Sequence, residues 1–517
     1  MTNSRRDFIK FVVVGSVASG CPIDSTLIAA PQPPAPLATA PLVHGEHFEI
    51  CHQIRDGRAF DRPDATRKAD IVIIGGGVAG LSAAYFLRGK DFLLLEKEDH
   101  FGGNAYQEEY EGQAFATGSA YADKGDDGDQ LAAEIGLKLL PVDNPDPTIV
   151  NGTFVADTWK QGLDELPYPK EVRASFRKFR DDMMKINRRE RTLELDSEPL
   201  TKYTAAYAPE VQKWWDGYGP SNWGATCEDT SAFVGISAAQ DLASGADAKR
   251  VILPGGLGCI THKLVQLLQP QYKDRTLGDA TTVAVVQDKD AVRVTYFHEG
   301  KLTTVAAKAV LMCTPKHITS RLVLNLPSDQ KTAMRRTRFA PYPVVNVIFD
   351  KPVYNRGYDT WCPGNSFTDF IVADWTVRNQ PGYKQRHNIL SFYTPLRENQ
   401  RATLLDETQC KALAARVLAD FQKLTPEFNV DPIEVRIYRR GHPMFMATPG
   451  QYTINRVAAA HPMERIFFGN ADSGGPESLT SEAVRLSHVG TEWLDLVLAG
   501  KPGAKELVEK ALAPAAD

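Results

Sequence analysis

The sequence predicts an α/β fold of two interleaved domains, and three observations carry that expectation. From Ala69 to Ala105 (ADIVIIGGGVAGLSAAYFLRGKDFLLLEKEDHFGGNA) an apolar run, a glycine turn, a helical pattern and a second apolar run follow one another. Strand-like segments return much later, at Lys308 to Cys313 and from Arg465, the latter ahead of a long helical pattern over Thr480 to Leu496. A chain of 517 residues also exceeds what one simple core accommodates, which sets the domain count at two or more.

Asp70 to Ile74 is short, apolar and β-branched, the pattern of a strand buried on both faces. Gly75, Gly77 and Gly80 then give G-x-G-x-x-G where that strand must turn into a helix. The first glycine permits the tight turn, the second lets backbone approach a pyrophosphate, and the third lets helix pack on strand. The helix opens near Val78 and Ala79, whose free N–H groups and positive dipole end face the phosphates, and Gly89 supplies its stop. Phe92 to Leu95 is the next strand, and Glu96 at its end is placed to accept bonds from ribose hydroxyls. Flanking strands, helix and acidic residue agree on a Rossmann-like dinucleotide site.

Later pieces return to that site. Gly102, Gly103 and Asn104 lie on a loop able to pass under the same pyrophosphate. Gly118 and Ser119, within Ala116 to Tyr121, are small residues against which a bulky ring can lie. Arg250 to Gly258 is a glycine-rich loop leading into a helix over Ile260 to Leu268. Thr282 to Val286, Ala291 to Phe297 and Leu302 to Ala306 alternate as a β-meander, and Lys308 to Cys313 is a buried strand stopped by Thr314-Pro315.

The hydrophobic fraction of 43% and charged fraction of 24% are those of a globular protein. A net charge of −5, without a basic stripe, argues against a nucleic-acid partner. Ser4-Arg5-Arg6-Asp7-Phe8-Ile9-Lys10 with the apolar run after it reads as a twin-arginine export signal, which implies a periplasmic protein exported folded. Two cleavage points compete: a lipoprotein-like box ending at Cys21, which would add a lipid anchor, and Ala38-Thr39-Ala40. Residues 31–41 form a proline-rich tether. The seven scattered cysteines contain no C-x-x-C pair, so zinc and thioredoxin-type chemistry are not indicated, and their pairing stays open.

This order of pieces over residues 66 to 500 resembles the flavin-containing amine oxidase superfamily. The resemblance implies FAD rather than NAD, since the second glycine pair and the C-terminal strand–helix serve a flavin. It places flavin contacts on Gly469, Asn470, Asp472, Leu479 and Thr480, and an adenine contact on Val283. The segment Phe48 to Gly57, FGGNA and NADSGG narrow the likeness to bacterial spermidine dehydrogenases, which carry haem b beside FAD. That likeness makes His52 a candidate axial ligand, with a hydrogen-bonding role in a docked N-terminal segment as the alternative.

The family pattern also fails in places. Its flavin-side lysine falls on Val344, with Asn346 nearby, its framing tyrosine on Leu479, and its arginine after the glycine pair on Asn104. These departures argue against an oxygen-using oxidase and for a dehydrogenase that passes electrons to haem, a cytochrome or a quinone. Tyr121, Trp215 and Asp216 are the substrate candidates, because aromatic faces and carboxylates hold amine cations. His442 is the candidate for handling or orienting a proton.

The expected FAD-binding domain takes 66–121, 246–325 and 455–500, and a mixed-sheet substrate domain takes 122–245 and 326–454. Segment 41–65 precedes both, behind the 1–40 signal and tether, and 501–517 is a tail. The leading function is oxidation of an amine or polyamine C–N bond. A desaturase of an apolar substrate, and an electron-transfer subunit without a substrate of its own, remain as alternatives.

Overall fold

Ile71, Val72, Ile73 and Ile74 each expose 2% or less of their surface, because the strand Arg67–Ile74 lies in the middle of a parallel stack. In the computed structural model, which describes residues 39–143, 146–245 and 249–514, its neighbours are Phe92–Leu95 and Lys301–Met312. The twin-arginine segment, Cys21 and most of the proline-rich tether lie outside the described residues. The described residues belong to one unit, Ala35–Asp517.

The first sheet has seven strands. Thr276–Leu277, Phe92–Leu95, Arg67–Ile74, Lys301–Met312 and Ile466–Phe468 are parallel, and an antiparallel meander of Thr281–Gln287 and Val292–His298 extends it. Two expected strands, 302–306 and 308–313, are here one continuous strand of 12 residues. Nothing in LTTVAAKAVLM breaks it: no Gly, Pro, Asn or Asp separates the halves. Its first half joins the meander and its second half the parallel stack.

The helix Val78–Phe86 buries Ala79 to Tyr85 without a break. Such an all-round apolar helix needs cover on both sides, and the C-terminal helix Thr480–Leu498 supplies one of them, with Ser487 Oγ donating to the Ala79 carbonyl at 2.7 Å.

A second, eight-stranded mixed sheet faces the site. Its order is Leu42–Gly45, Glu434–Arg439, Val344–Phe349, Asn388–Tyr393, Asp369–Val372, Asp359–Trp361, Thr148–Val150 and Thr153–Val155. The strand Leu42–Gly45, from the segment expected to precede both domains, thus completes one edge of it. One row of directly opposed residues runs across this sheet: Val344, Tyr393, Asp369, Trp361. Opposed residues share a face, so this row forms a floor. The insert between residues 156 and 245 is mainly helical, with Lys170–Met183, Pro209–Trp223 and Ala232–Ser244 around a core rich in tryptophan.

Candidate active site

Between the glycine turn and the second sheet lies a cavity of about 1380 Å³, larger than the roughly 300–1,000 Å³ of an ordinary small-molecule site. Its two ends have different chemistry.

The first end is built by the parallel sheet. Gly75, Gly77, Val78, Ala79, Glu96, Gly103 and Asn104 line it. Gly75 holds φ +105°, and a Cβ there would meet the Cys313 carbonyl at 2.8 Å, so only glycine turns the chain here. A Cβ on Gly80 would run into the Gly75 carbonyl, which is why the helix can sit so close to the strand. A Cβ on Gly77, by contrast, would meet no protein atom nearer than 3.7 Å. The nearest of these is the Gly103 Cα, an ordinary contact, so the protein alone would tolerate a Cβ at Gly77.

The Glu96 carboxylate accepts from the Gly76 N–H at 2.5 Å and the Glu98 N–H at 2.9 Å, and burial pushes its pKa up. Gly102 lies behind the wall, its N–H donating to the Gly76 carbonyl at 2.9 Å. Gly118, Ser119, Asn470, Asp472, Leu479 and Thr480 continue the lining. Gly469 does not line it; its N–H donates to the Met312 carbonyl at 2.9 Å, which seats the strand ahead of that loop. Val283, at a register shift between Thr282 and Ala284, does not line the cavity as expected; Thr281 and Thr282 line it instead. Thr282 Oγ1 is buried there without a partner.

These features fit FAD. A glycine turn lining the cavity at Gly77, an orphaned hydroxyl at Thr282 and a carboxylate at the strand end are what a nucleotide diphosphate with its ribose requires.

Sequence reasoning missed what holds Asp472. Lys316 is fully buried, its N–H donates to Asp472 Oδ2 at 2.6 Å and its ammonium to Oδ1 at 2.9 Å, and the ammonium also reaches Ser473. A lysine straight after a strand-ending Thr-Pro carries no periodic signal, so only the fold shows its role.

The second end rests on the floor of the second sheet, with Val344, Tyr393, Asp369 and Trp361 joined by Tyr121, Tyr342 and Asp359. Tyr393 donates to the Gly118 carbonyl at 2.8 Å, tying the floor to the loop of the first end. Arg250 donates to Asp146 at 2.7 Å and to Asp359 at 3.2 Å, with its guanidinium 4.2 Å from the centre of the Tyr121 ring. Asp359 and Asp369 are each 2% exposed. Burial raises Asp369 to about 6, against the help of hydroxyls on Thr368 and Ser221. Burial, then the neighbouring Asp369 carboxyl, raises Asp359 further. Burial likewise holds Tyr121, Tyr342 and Tyr393 neutral.

Two substrate candidates are corrected. Trp215 is fully buried among Trp159, Trp214 and Tyr218, with ring centres 5.0–5.5 Å apart, and does not reach the cavity. Asp216 accepts from the Cys227 N–H at 2.8 Å and fixes the turn after its helix. Tyr218, Ser221 and Asn222 of the same helix line the cavity instead.

His442 lines the cavity with its ring stacked on His317 at 4.3 Å. Burial, then Arg401, lowers its pKa to about 3, which favours the neutral imidazole near neutral pH. His52 lines the same wall on the helix Glu49–Arg55, 4.7 Å from Phe48, and burial followed by Arg55 lowers its pKa too. All six described cysteines are free thiols. Among the described residues, no helix is long and apolar enough to cross a membrane.

A family model described as flavin containing amine oxidoreductase matches residues 78–485. The curated oxidoreductase PigB of Serratia sp. (strain ATCC 39006) is 22% identical over 272 residues, 49% of this chain and 39% of that protein. The chain thus spans about two fifths of that relative. Among solved structures, wild-type putrescine oxidase bound to putrescine aligns with a TM-score of 0.63 at 16% identity, over 83% of this chain and 99% of that one. Cyclohexylamine oxidase from Brevibacterium oxydans IH-35A aligns with a TM-score of 0.64 at 16% identity, over 86% and 99%. At these identities the likeness is one of fold.

Proposed function

The chain belongs to the flavin containing amine oxidoreductase family, and from that premise we propose that it is an exported, FAD-dependent dehydrogenase of an amine or polyamine. The observation that carries this reading is the single cavity joining the glycine cradle at Gly77 to a buried carboxylate and aromatic floor at Asp369 and Tyr393. An apolar desaturase substrate, favoured by Val344 and the 45% exposed Leu479, would press hydrocarbon against two buried carboxyls, which is unfavourable. An amine does not meet that conflict.

When bound, FAD supplies a two-electron acceptor for a hydride from the carbon next to nitrogen, as C–H breaks and C=N forms. Glu96 would take the ribose hydroxyls, and the N–H groups at Val78 and Ala79 the phosphates. Asp472, fixed by Lys316, would hold the chain between phosphate and ring. The neutral Tyr342 and Tyr393 hydroxyls would orient the reacting amine, and the closed floor would exclude water. No protein base is demanded if the amine arrives unprotonated.

Electron transfer onward to a cytochrome or quinone belongs to the same proposal, as does haem b held through His52, whose neutral imidazole is the ligating form. Anaerobic mixing with an amine panel tests the reading: spermidine or another amine should bleach the flavin, and an apolar polyene should not. A Soret band in the purified protein, lost in His52→Ala, tests the haem; a flavin-only spectrum removes it.

A further inference from the structure

Lys97 pairs with Glu98, Lys316 with Asp472, and Arg250 with Asp146 and Asp359. Arg440 is different. It follows the strand Glu434–Arg439 of the second sheet and lines the cavity. Its guanidinium donates to the Gly103 carbonyl at 3.1 Å, to Thr117 Oγ1 at 2.9 Å and to the Thr117 carbonyl at 3.4 Å. All three acceptors are neutral, and among the described residues no carboxylate forms an ion pair with this side chain. Burial holds its pKa below the ordinary arginine value, as expected of a charge that the protein desolvates without balancing.

The charge stands at the glycine turn. A Cβ on Gly103 would meet the Gly77 Cα at 3.0 Å, and Gly77 bridges to Gly102, so the loop that Arg440 touches packs on the turn itself. That loop brings no cation of its own: Asn104 is neutral, and its amide donates to the Pro443 carbonyl at 2.8 Å. A guanidinium has five N–H groups, and the three bonds above leave one on each terminal nitrogen. Such a fork matches the oxygens of a phosphate. The backbone behind it is fixed, with the Tyr342 N–H donating to the Arg440 carbonyl at 2.9 Å.

We propose that Arg440 binds the diphosphate of FAD from the second sheet, supplying the positive side chain that the glycine turn and the Gly102–Asn104 loop lack. This rests on the FAD reading of the first end. It adds a cofactor contact 337 residues away from Gly103 in sequence, so that both sheets grip the same group.

The test titrates the flavin-free protein with FAD and with riboflavin, which has no phosphate, for the wild type, Arg440→Gln and Arg440→Lys. Glutamine keeps amide donors without the charge, and lysine keeps the charge. Flavin fluorescence reads binding, and the reduction potential of the loaded protein is measured beside it. Arg440→Gln should weaken FAD about 10- to 100-fold and riboflavin less than about threefold, while Arg440→Lys keeps most of the FAD affinity. Equal FAD binding by the wild type and Arg440→Gln overturns the proposal, and so does an equal loss for FAD and riboflavin, which marks a purely structural role. Unchanged FAD affinity with a lowered potential puts the charge at the reduced flavin ring and also overturns it. A wild type that binds no flavin removes the cofactor reading together with the proposal. Should Arg440→Gln not fold, the wild type decides: FMN must bind at least about tenfold tighter than riboflavin, and equal binding overturns the proposal.

Discussion

The Lys316 ammonium and the Asp472 carboxylate form an ion pair at 2.9 Å, with 1% of each side chain exposed. The pair joins the end of the central strand to the loop before the C-terminal helix, and Asp472 is part of the cavity wall. Lys316 therefore positions a wall residue without lining the cavity.

Removing one partner of a buried pair costs about 3–5 kcal/mol, because the other charge is left uncompensated. Lys316→Met should lower the unfolding midpoint accordingly and release flavin on gel filtration. The double variant Lys316→Met with Asp472→Asn should regain stability but not flavin. Recovery of both would show that Asp472 has no part in holding FAD.

Gly77 and Gly80 separate fold from ligand. Gly80→Ala pushes a methyl into the Gly75 carbonyl and should abolish soluble protein. Gly77 has φ −74°, which any residue adopts, and a Cβ there would make only an ordinary contact with the Gly103 Cα at 3.7 Å. Gly77→Ala should change the stability of the flavin-free protein by less than about 1 kcal/mol and still weaken FAD binding at least about tenfold. Flavin titration beside urea unfolding checks both.

The acid pair sets a pH dependence of definite sign. Asp369 titrates at about 6 in the fold, above the ordinary 3.8, so the folded protein binds that proton more tightly than the unfolded chain. Its contribution is fully present below about pH 4 and is lost as pH rises through 6. His442 acts in the opposite sense, its folded pKa being lowered, so the comparison must be with a variant. Urea midpoints from pH 4.5 to 7 should fall more with rising pH in the wild type than in Asp369→Asn.

Trp215 belongs to the helical core and not to the cavity. Trp215→Ala should cost about 3–5 kcal/mol and leave KM for the amine unchanged in the protein that remains folded. A raised KM would return this residue to the substrate site.

The cofactor end was legible in the sequence because its chemistry is local. Gly75, Gly77, Gly80 and Glu96 lie within one strand–turn–helix–strand unit, and their spacing alone puts them together. The floor was not legible. Asp359 and Asp369 meet only through the pairing of their strands, and Arg250 reaches Asp359 from 109 residues away. Trp215 misled because tryptophan density looks the same in a core as in a site. Aspartate is depleted in strands, so the acids that open the short strands at 359–361 and 369–372 were the available sign. The fused strand Lys301–Met312 differed from expectation for a related reason, since alternation reports faces and not where a strand changes partners.

Leu42–Gly45 lies parallel to Glu434–Arg439, with Leu42 opposite Arg436, and the residues directly after it wall the cavity. Pairing across almost the whole chain fixes an order of events during synthesis. The strand Leu42–Gly45 has no partner until residue 439 has been made, and the wall residues from Asn470 to Ala483 are made later still. The cavity takes wall residues from both ends of the described chain, so it is not complete until residue 483 is in place.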